Sequence, residues 1–275
     1  MASSISESGG WPECQKENML IDIEPEDRGT QEIPREVTAG RTLKKIFRQT
    51  DGLPRVREQP ASESLLMNPS RFSIFTHLFE HPCDHTRSIA RKVDGSLTGI
   101  NWNLGQLEKA GYVVSFTVDS RKVYWPAGML EPIDVPSVRL LTLPWGMIIM
   151  SMIGNAGKSS QHEITKAMNE SQQTVESRLR KFECVGLIQS TGEGRARRYT
   201  LSQNASSLSE KYTARSRDFS KTVWSLLRND GLMPAKRRFT GTKLSGDVLL
   251  PSGKRRIHLE CNPVAPISKL LGHDM

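Results

Sequence analysis

The 275-residue sequence predicts a mainly α-helical fold of the α+β class, with two copies of one small unit in tandem ahead of a C-terminal helix and hairpin. Three observations predict it. Apolar positions recur at a constant offset of 75 residues without a gap, each copy holds three runs of helical spacing, and each closes on two β-prone runs around a turn.

The offset pairs Gly111 with Gly186, Pro69 with Pro144, Ile74 with Ile149, Leu78 with Ile153, Ile89 with Ile164, Ile100 with Val175, Leu104 with Leu179, Leu107 with Phe182 and Tyr124 with Tyr199. These positions are mainly apolar, so one core pattern serves both copies. The resulting divisions are an acidic tail over 1–40, a linker over 41–63, a first unit over 64–130, a second over 137–203 and a C-terminal region over 204–275. The tail lacks apolar periodicity and is rich in Ser, Gly and Pro, a composition that predicts disorder.

In the first unit Asn68 caps a helix opening at Pro69, whose missing amide proton is harmless there, and Phe72, Phe75, Leu78 and Phe79 form its apolar face. Pro82 stops it. A second helix runs from about Thr86 to Val93, and a third begins near Ser96 or Leu97, carries Ile100, Leu104 and Leu107, and ends at Gly111. Tyr112–Val118 and Arg121–Trp125 flank the turn Asp119-Ser120 as a hairpin. Three helices followed by a hairpin is the order of a winged helix-turn-helix domain.

The second unit predicts an apolar helix over about Leu140–Ile153, a second over Gln161–Met168 and a third over Gln172–Cys184. Its hairpin is Leu187–Ser190 with Arg197–Leu201, around a glycine-rich basic tip at 191–195. The C-terminal region predicts a helix over about Ser207–Arg228, available for docking or for a homodimer, and a hairpin of Asp247–Leu250 and Arg255–Leu259.

The formal charge of +8 is uneven, because residues 1–40 hold nine acids against three bases and leave the remainder at +14. Clustered Lys and Arg of this density favour a polyanionic partner, double-stranded DNA above all. Cys14, Cys83, Cys184 and Cys261 form no CxxC pair, which argues against a zinc ribbon or a disulfide framework and for a reducing cytoplasm. The opening MASSISESGGWPE has neither a basic leader nor an apolar stretch, so no signal peptide is expected. Leu140–Ile153 is too short to span a bilayer, and no membrane partner is expected.

The segments INWNLGQLEKAGYV, Ile100–Val113, and VESRLRKFECVGLI, Val175–Ile188, resemble the recognition helix and following strand of ArsR-like and related archaeal winged-helix regulators. The first keeps Ile100, Trp102, Leu104, Leu107 and Ala110-Gly111; the second keeps Val175, Leu179 and Gly186-Leu187. Asn68-Pro69-Ser70-Arg71 with Ile74 and Leu78 is similar to the family's first helix, and the resemblance covers about residues 65–203. It implies transcriptional control through DNA binding. Gly99 and Gly105 depart from the pattern, each weakening the third helix by about 1 kcal/mol relative to Ala.

A helix in the major groove reads base edges with the face opposite its core contacts. In the first copy that face offers Thr98, Asn101, Trp102, Asn103 and Gln106; in the second it offers Gln172, Gln173, Thr174, Ser177, Arg178 and Lys181. Asn and Gln suit adenine, and Arg178 suits guanine. The wing bases, Arg121 and Lys122, then Arg195, Arg197 and Arg198, would neutralise phosphates.

Gly157-Lys158-Ser159 lacks the spacing of a phosphate-binding loop. His77, His81, Cys83, Asp84 and His85 are dense in metal-ligand types, but a surface or packing role outweighs a sensor site, and no cofactor is expected. No Ser-His-Asp or paired-carboxylate pattern points to an enzyme. The rival class is a protein-interaction scaffold of a transcription or chromosome-maintenance complex, favoured by the apolar run around Met147–Met150.

Overall fold

The computed structural model describes residues 64–272; the tail over 1–40, the linker over 41–63 and residues 273–275 lie outside the described residues. Among the described residues the fold is α+β, with three separate three-stranded antiparallel sheets among helices, consistent with a winged-helix architecture.

The first unit opens with α1 (Pro69–Glu80), capped by the Asn68 carboxamide oxygen, which accepts from the N–H groups of Ser70 and Arg71 at 3.0 and 3.2 Å. The strand β1 (Asp84–His85), the helices α2 (Thr86–Lys92) and α3 (Leu97–Lys109), and the hairpin β2 (Val113–Val118) and β3 (Arg121–Pro126) follow. Asp119 and Ser120 both take positive φ, the geometry of a tight two-residue hairpin turn. Phe72, Ile74, Phe75, Leu78, Ile100, Leu104 and Leu107 are fully buried or nearly so, each worth about 1.5–3 kcal/mol of transfer free energy.

The second unit differs from expectation at its start. The apolar run is two helices, α4 (Val135–Thr142) and α5 (Pro144–Ala156), and the helical segment Pro132–Thr142 that contains α4 meets α5 at a bend of 88°. Pro144 cannot donate into a continuing helix and forces Leu143 into an extended conformation, φ −76° and ψ 136°. Gly146 lets the two helices close on one another, since a Cβ there would lie 1.9 Å from the Leu140 carbonyl oxygen. No single helix among the described residues is long and apolar enough to cross a membrane. Then come β4 (Ser159–Ser160), α6 (Gln161–Met168), α7 (Gln172–Cys184), β5 (Ile188–Thr191) and β6 (Arg198–Leu201).

Corresponding residues of the two units do corresponding work. Ser96 and Ser171 cap α3 and α7 with their side chains, and Asp94 and Asn169 hold left-handed φ of 49° and 52° just before. Gly111 and Gly186 end those helices at φ 80° and 70°, donating to the carbonyls of Glu108 and Glu183. Tyr124 pairs with Asp84 across β3 and β1 as Tyr199 pairs with Ser159 across β6 and β4.

The long helix α8 (Gln203–Asn229) docks on the rest of the chain. Its Tyr212 hydroxyl accepts from the Glu131 N–H at 3.0 Å and donates to Asp134 at 2.7 Å, and Phe219 stacks on Phe79. Beyond it lie β7 (Ala235–Thr240), β8 (Lys243–Leu250), β9 (Gly253–Glu260) and α9 (Ala265–Leu270), the strands forming one sheet in the order β7-β8-β9. The expected hairpin is present, but β7 was not expected: the run Lys236-Arg237-Arg238 reads as solvated charge and is an irregular edge strand. Cys83 and Cys261 are free and buried.

Candidate nucleic-acid interface

Burial of one face of α3 and α7 decides what the other face presents. On α3, Ile100, Leu104 and Leu107 point inward; Thr98, Asn101 and Trp102 are exposed, and Asn103 and Gln106 are half-buried. Trp102 is 57% exposed, with the Arg71 guanidinium of α1 5.3 Å from its ring centre. The same Arg71 donates from Nε to the Asn103 carboxamide oxygen at 3.3 Å. Asn103 is therefore engaged within the protein.

On α7, Val175, Leu179 and Phe182 are buried, whereas Gln172, Gln173, Thr174, Ser177 and Lys181 are exposed. Thr174 shares a hydrogen bond with Ser171 at 2.8 Å. Arg178 does not project from the helix. Its guanidinium lies over the Trp145 ring of α5 at 4.7 Å and against Glu170 at 2.6 Å, and only 20% of its side chain is exposed. A helix-one to helix-three cation–π contact thus occurs in both units with the partners exchanged, Arg71 on Trp102 and Trp145 on Arg178.

The wings repeat a three-residue arrangement. Lys122 of β3 donates to Glu108 at the end of α3 at 3.0 Å and lies 5.3 Å over Tyr124. Arg197, 75 residues on, donates to Glu183 at 2.8 and 3.0 Å and lies 5.3 Å over Tyr199. The Glu108 and Lys122 ion pair and its counterpart are partly solvent-exposed, so each holds by about 1 kcal/mol or less. Arg121 is exposed at the tip of the first hairpin, Arg198 is half-buried at the start of β6, and the backbone of Arg195 lies in the short 3-10 turn Gly194–Ala196. Sequence reasoning picked out the cations and overlooked Glu108 and Glu183, although the offset of 75 matches them too.

The histidine cluster is knit by hydrogen bonds to one carboxylate. Asp84 takes His77 Nε2 at 2.9 Å, and His85 at 3.3 Å. Burial pushes the Asp84 carboxyl up, but hydrogen bonds from His77, the His85 N–H and Ser88 outweigh it and hold the group below its ordinary range. Burial pushes the Cys83 thiol well up. Among the described residues no group of three or more His, Cys, Asp and Glu could hold a metal ion. The apolar run behind the scaffold reading is mostly core: Gly146, Ile149, Met150 and Ile153 are buried, and within Met147–Met150 Ile148 alone is exposed.

No family model matches the chain. An uncharacterized HTH-type transcriptional regulator of Methanocaldococcus jannaschii is 28% identical over 144 residues, which is 52% of this chain and 36% of the relative. The chain therefore spans about a third of that relative's length. Among solved structures, a Corynebacterium diphtheriae protein is 16% identical with a TM-score of 0.22, covering 49% of this chain and 26% of its own; at that score the likeness carries no argument.

Proposed function

We propose that the protein is a DNA-binding transcriptional regulator with tandem winged helix-turn-helix domains of ArsR-like type, acting by binding rather than catalysis in a cytoplasmic setting and without a cofactor. In this reading α3 and α7 lie in the major groove of double-stranded DNA and the two hairpins lie on its backbone. The observation that carries it is the recurrence, at one offset, of an exposed polar third-helix face beside a hairpin bearing a cation. The matched relative's description as an HTH-type transcriptional regulator supports the same reading. Two units in one chain would replace the symmetric pair that single-unit regulators build by dimerising.

Base reading falls to Thr98, Asn101 and Gln106 on α3 and to Gln172, Gln173, Thr174, Ser177 and Lys181 on α7, with Trp102 offering its exposed ring to a thymine methyl. Asn103 and Arg178 position these helices, since both are held by α1, α5 or their neighbours. Arg121, Lys122, Arg195, Arg197 and Arg198 would neutralise phosphates. Salt-titrated binding of the full chain to random and genomic duplex DNA tests the proposal. Sequence-independent binding with a negative dependence on salt, plus a tighter subset of genomic fragments, is the expected result; no duplex binding at low salt would end it.

A further inference from the structure

Positive charge in excess of carboxylate accumulates on the C-terminal sheet. Residues 235–260 hold seven Lys and Arg against Asp247 and Glu260, a net +5 within a chain of +8. Strand alternation sorts them. Leu244, Val248 and Leu250 of β8 and Ile257 and Leu259 of β9 are buried, whereas Lys243, Lys254, Arg256 and His258 occupy the opposite face and are exposed.

Register aligns these groups across strands. Arg238 faces Ser245, and Ser245 faces His258, so three hydrogen-bonding side chains make one row over β7, β8 and β9. In the next row Asp247 takes ion pairs from Lys254 at 3.1 Å and Arg256 at 3.2 Å, a single acid against two cations. Lys236, Arg238 and Lys243 have no carboxylate within ion-pair distance among the described residues. This contrasts with the wings, where Lys122 and Arg197 are each tied to a glutamate. The row opens on a shallow concavity lined by Lys236, Arg237, Arg238, Arg256 and His258.

We propose that this outer sheet face is a second polyanion-binding surface, distinct from the third helices and wings, that takes the sugar-phosphate backbone of double-stranded DNA. The occupant follows from charge complementarity and from layout. Cations two residues apart on a strand lie about 7 Å apart, so the charge is spread along β9 and across the sheet as a line of phosphates requires, not gathered around one small anion. Arg and Lys supply donors to phosphate oxygen, and set on a sheet face that tracks the backbone rather than on an element inserted in a groove they add affinity without choosing sequence. The proposal rests on the DNA-binding reading above.

The test is salt-titrated binding of the full chain to 30-base-pair duplexes of random and genomic sequence. The sheet variant joins Lys236→Gln with Arg238→Gln, both exposed; Lys243→Gln with His258→Gln serves if the first fails to fold. The comparison variant joins Gln173→Ala with Lys181→Ala on α7. Several-fold weaker binding to every duplex, with the slope of log K against log salt shallower by about two units for two lost phosphate contacts, is expected of the first sheet variant. An unchanged slope in a folded sheet variant, with weaker binding in the α7 variant, overturns the sheet proposal and leaves the DNA-binding reading standing. Failure of the unaltered chain to bind any duplex overturns both. Loss confined to single-stranded RNA overturns the choice of DNA as the occupant.

Discussion

Arg197 on the second hairpin donates to both carboxylate oxygens of Glu183 at the end of α7, and Lys122 makes the equivalent contact with Glu108 exactly one repeat offset earlier in the chain. A wing cation held by a helix glutamate is aimed, but its charge is partly cancelled. Under the proposed function, phosphate would compete with the carboxylate in both units.

Competition predicts that Glu183→Gln tightens binding to all duplexes at low salt and steepens the salt slope by about one unit, as one more cation becomes available. Thermal stability should change by about 1 kcal/mol or less, because the ion pair is partly exposed. Removing the carboxylate's repulsion of DNA would tighten binding by itself, so a double-mutant cycle separates the two causes. Arg197→Ala should cost more in the Glu183→Gln background than in the unaltered chain; equal costs would show that Glu183 does not compete for Arg197, and no cost in either background would show that Arg197 does not reach phosphate.

Arg178 yields a different expectation. Stacked on Trp145 and set against Glu170, it fastens α7 to α5. Arg178→Ala should cost about 1–2 kcal/mol of stability from the lost cation–π contact and packing. Its effect on DNA should be equal across base positions, read by binding to a set of duplexes that differ one base pair at a time. A loss of about 1–3 kcal/mol confined to one G·C pair would return Arg178 to base reading.

Two glycines make opposite predictions for one substitution. Gly105 on the exposed side of α3 has no atom within 4 Å of the place a Cβ would take, so Gly105→Ala should raise stability by about 1 kcal/mol. At Gly146 the same change meets the Leu140 carbonyl at 1.9 Å and should destabilise strongly by prising α4 from α5. Urea unfolding of the two variants checks both. A neutral Gly146→Ala would mean that the bend between α4 and α5 is not set by their close approach.

What was legible in the sequence follows from how each element is encoded. The third helices and hairpins could be read to within a residue or two because apolar spacing, a serine cap and a terminal glycine all mark their ends. The break at Leu143 and Pro144 was signalled by the match of Pro144 to Pro69, but a long apolar run obscured it. The strand β7 carries no alternation and a bulge, so its pairing depends on β8 alone and leaves no local trace. At the candidate interface composition identified the cations, and the offset of 75 links their partners Glu108 and Glu183, whereas Glu170 has no such mark and required three-dimensional placement.

Asp230 supplies the pH-dependent expectation. Buried at the end of α8, it accepts from the Leu65 N–H at 3.0 Å, the Leu66 N–H at 2.5 Å and the Tyr112 hydroxyl at 2.7 Å, tying the C-terminal helix to the first unit. Asp230→Ala would leave three donors without their acceptor, and several kcal/mol of stability should be lost at about 1–3 kcal/mol for each buried unpaired group. Burial raises the Asp230 carboxyl above its ordinary range, against the lowering effect of Tyr112 and the two backbone donors. A raised folded-state value means that the native state binds the proton more tightly than the unfolded chain. Its contribution is then fully present below the unfolded value of about 3.9 and declines as pH rises through the folded value. Asp230→Asn has no such proton. The stability of the unaltered chain relative to Asp230→Asn, measured by urea unfolding from about pH 3.5 upward, should therefore fall as pH rises through that window and level off above it. A relative stability that instead rises with pH over the same range would show that the three donors lower the carboxyl more than burial raises it.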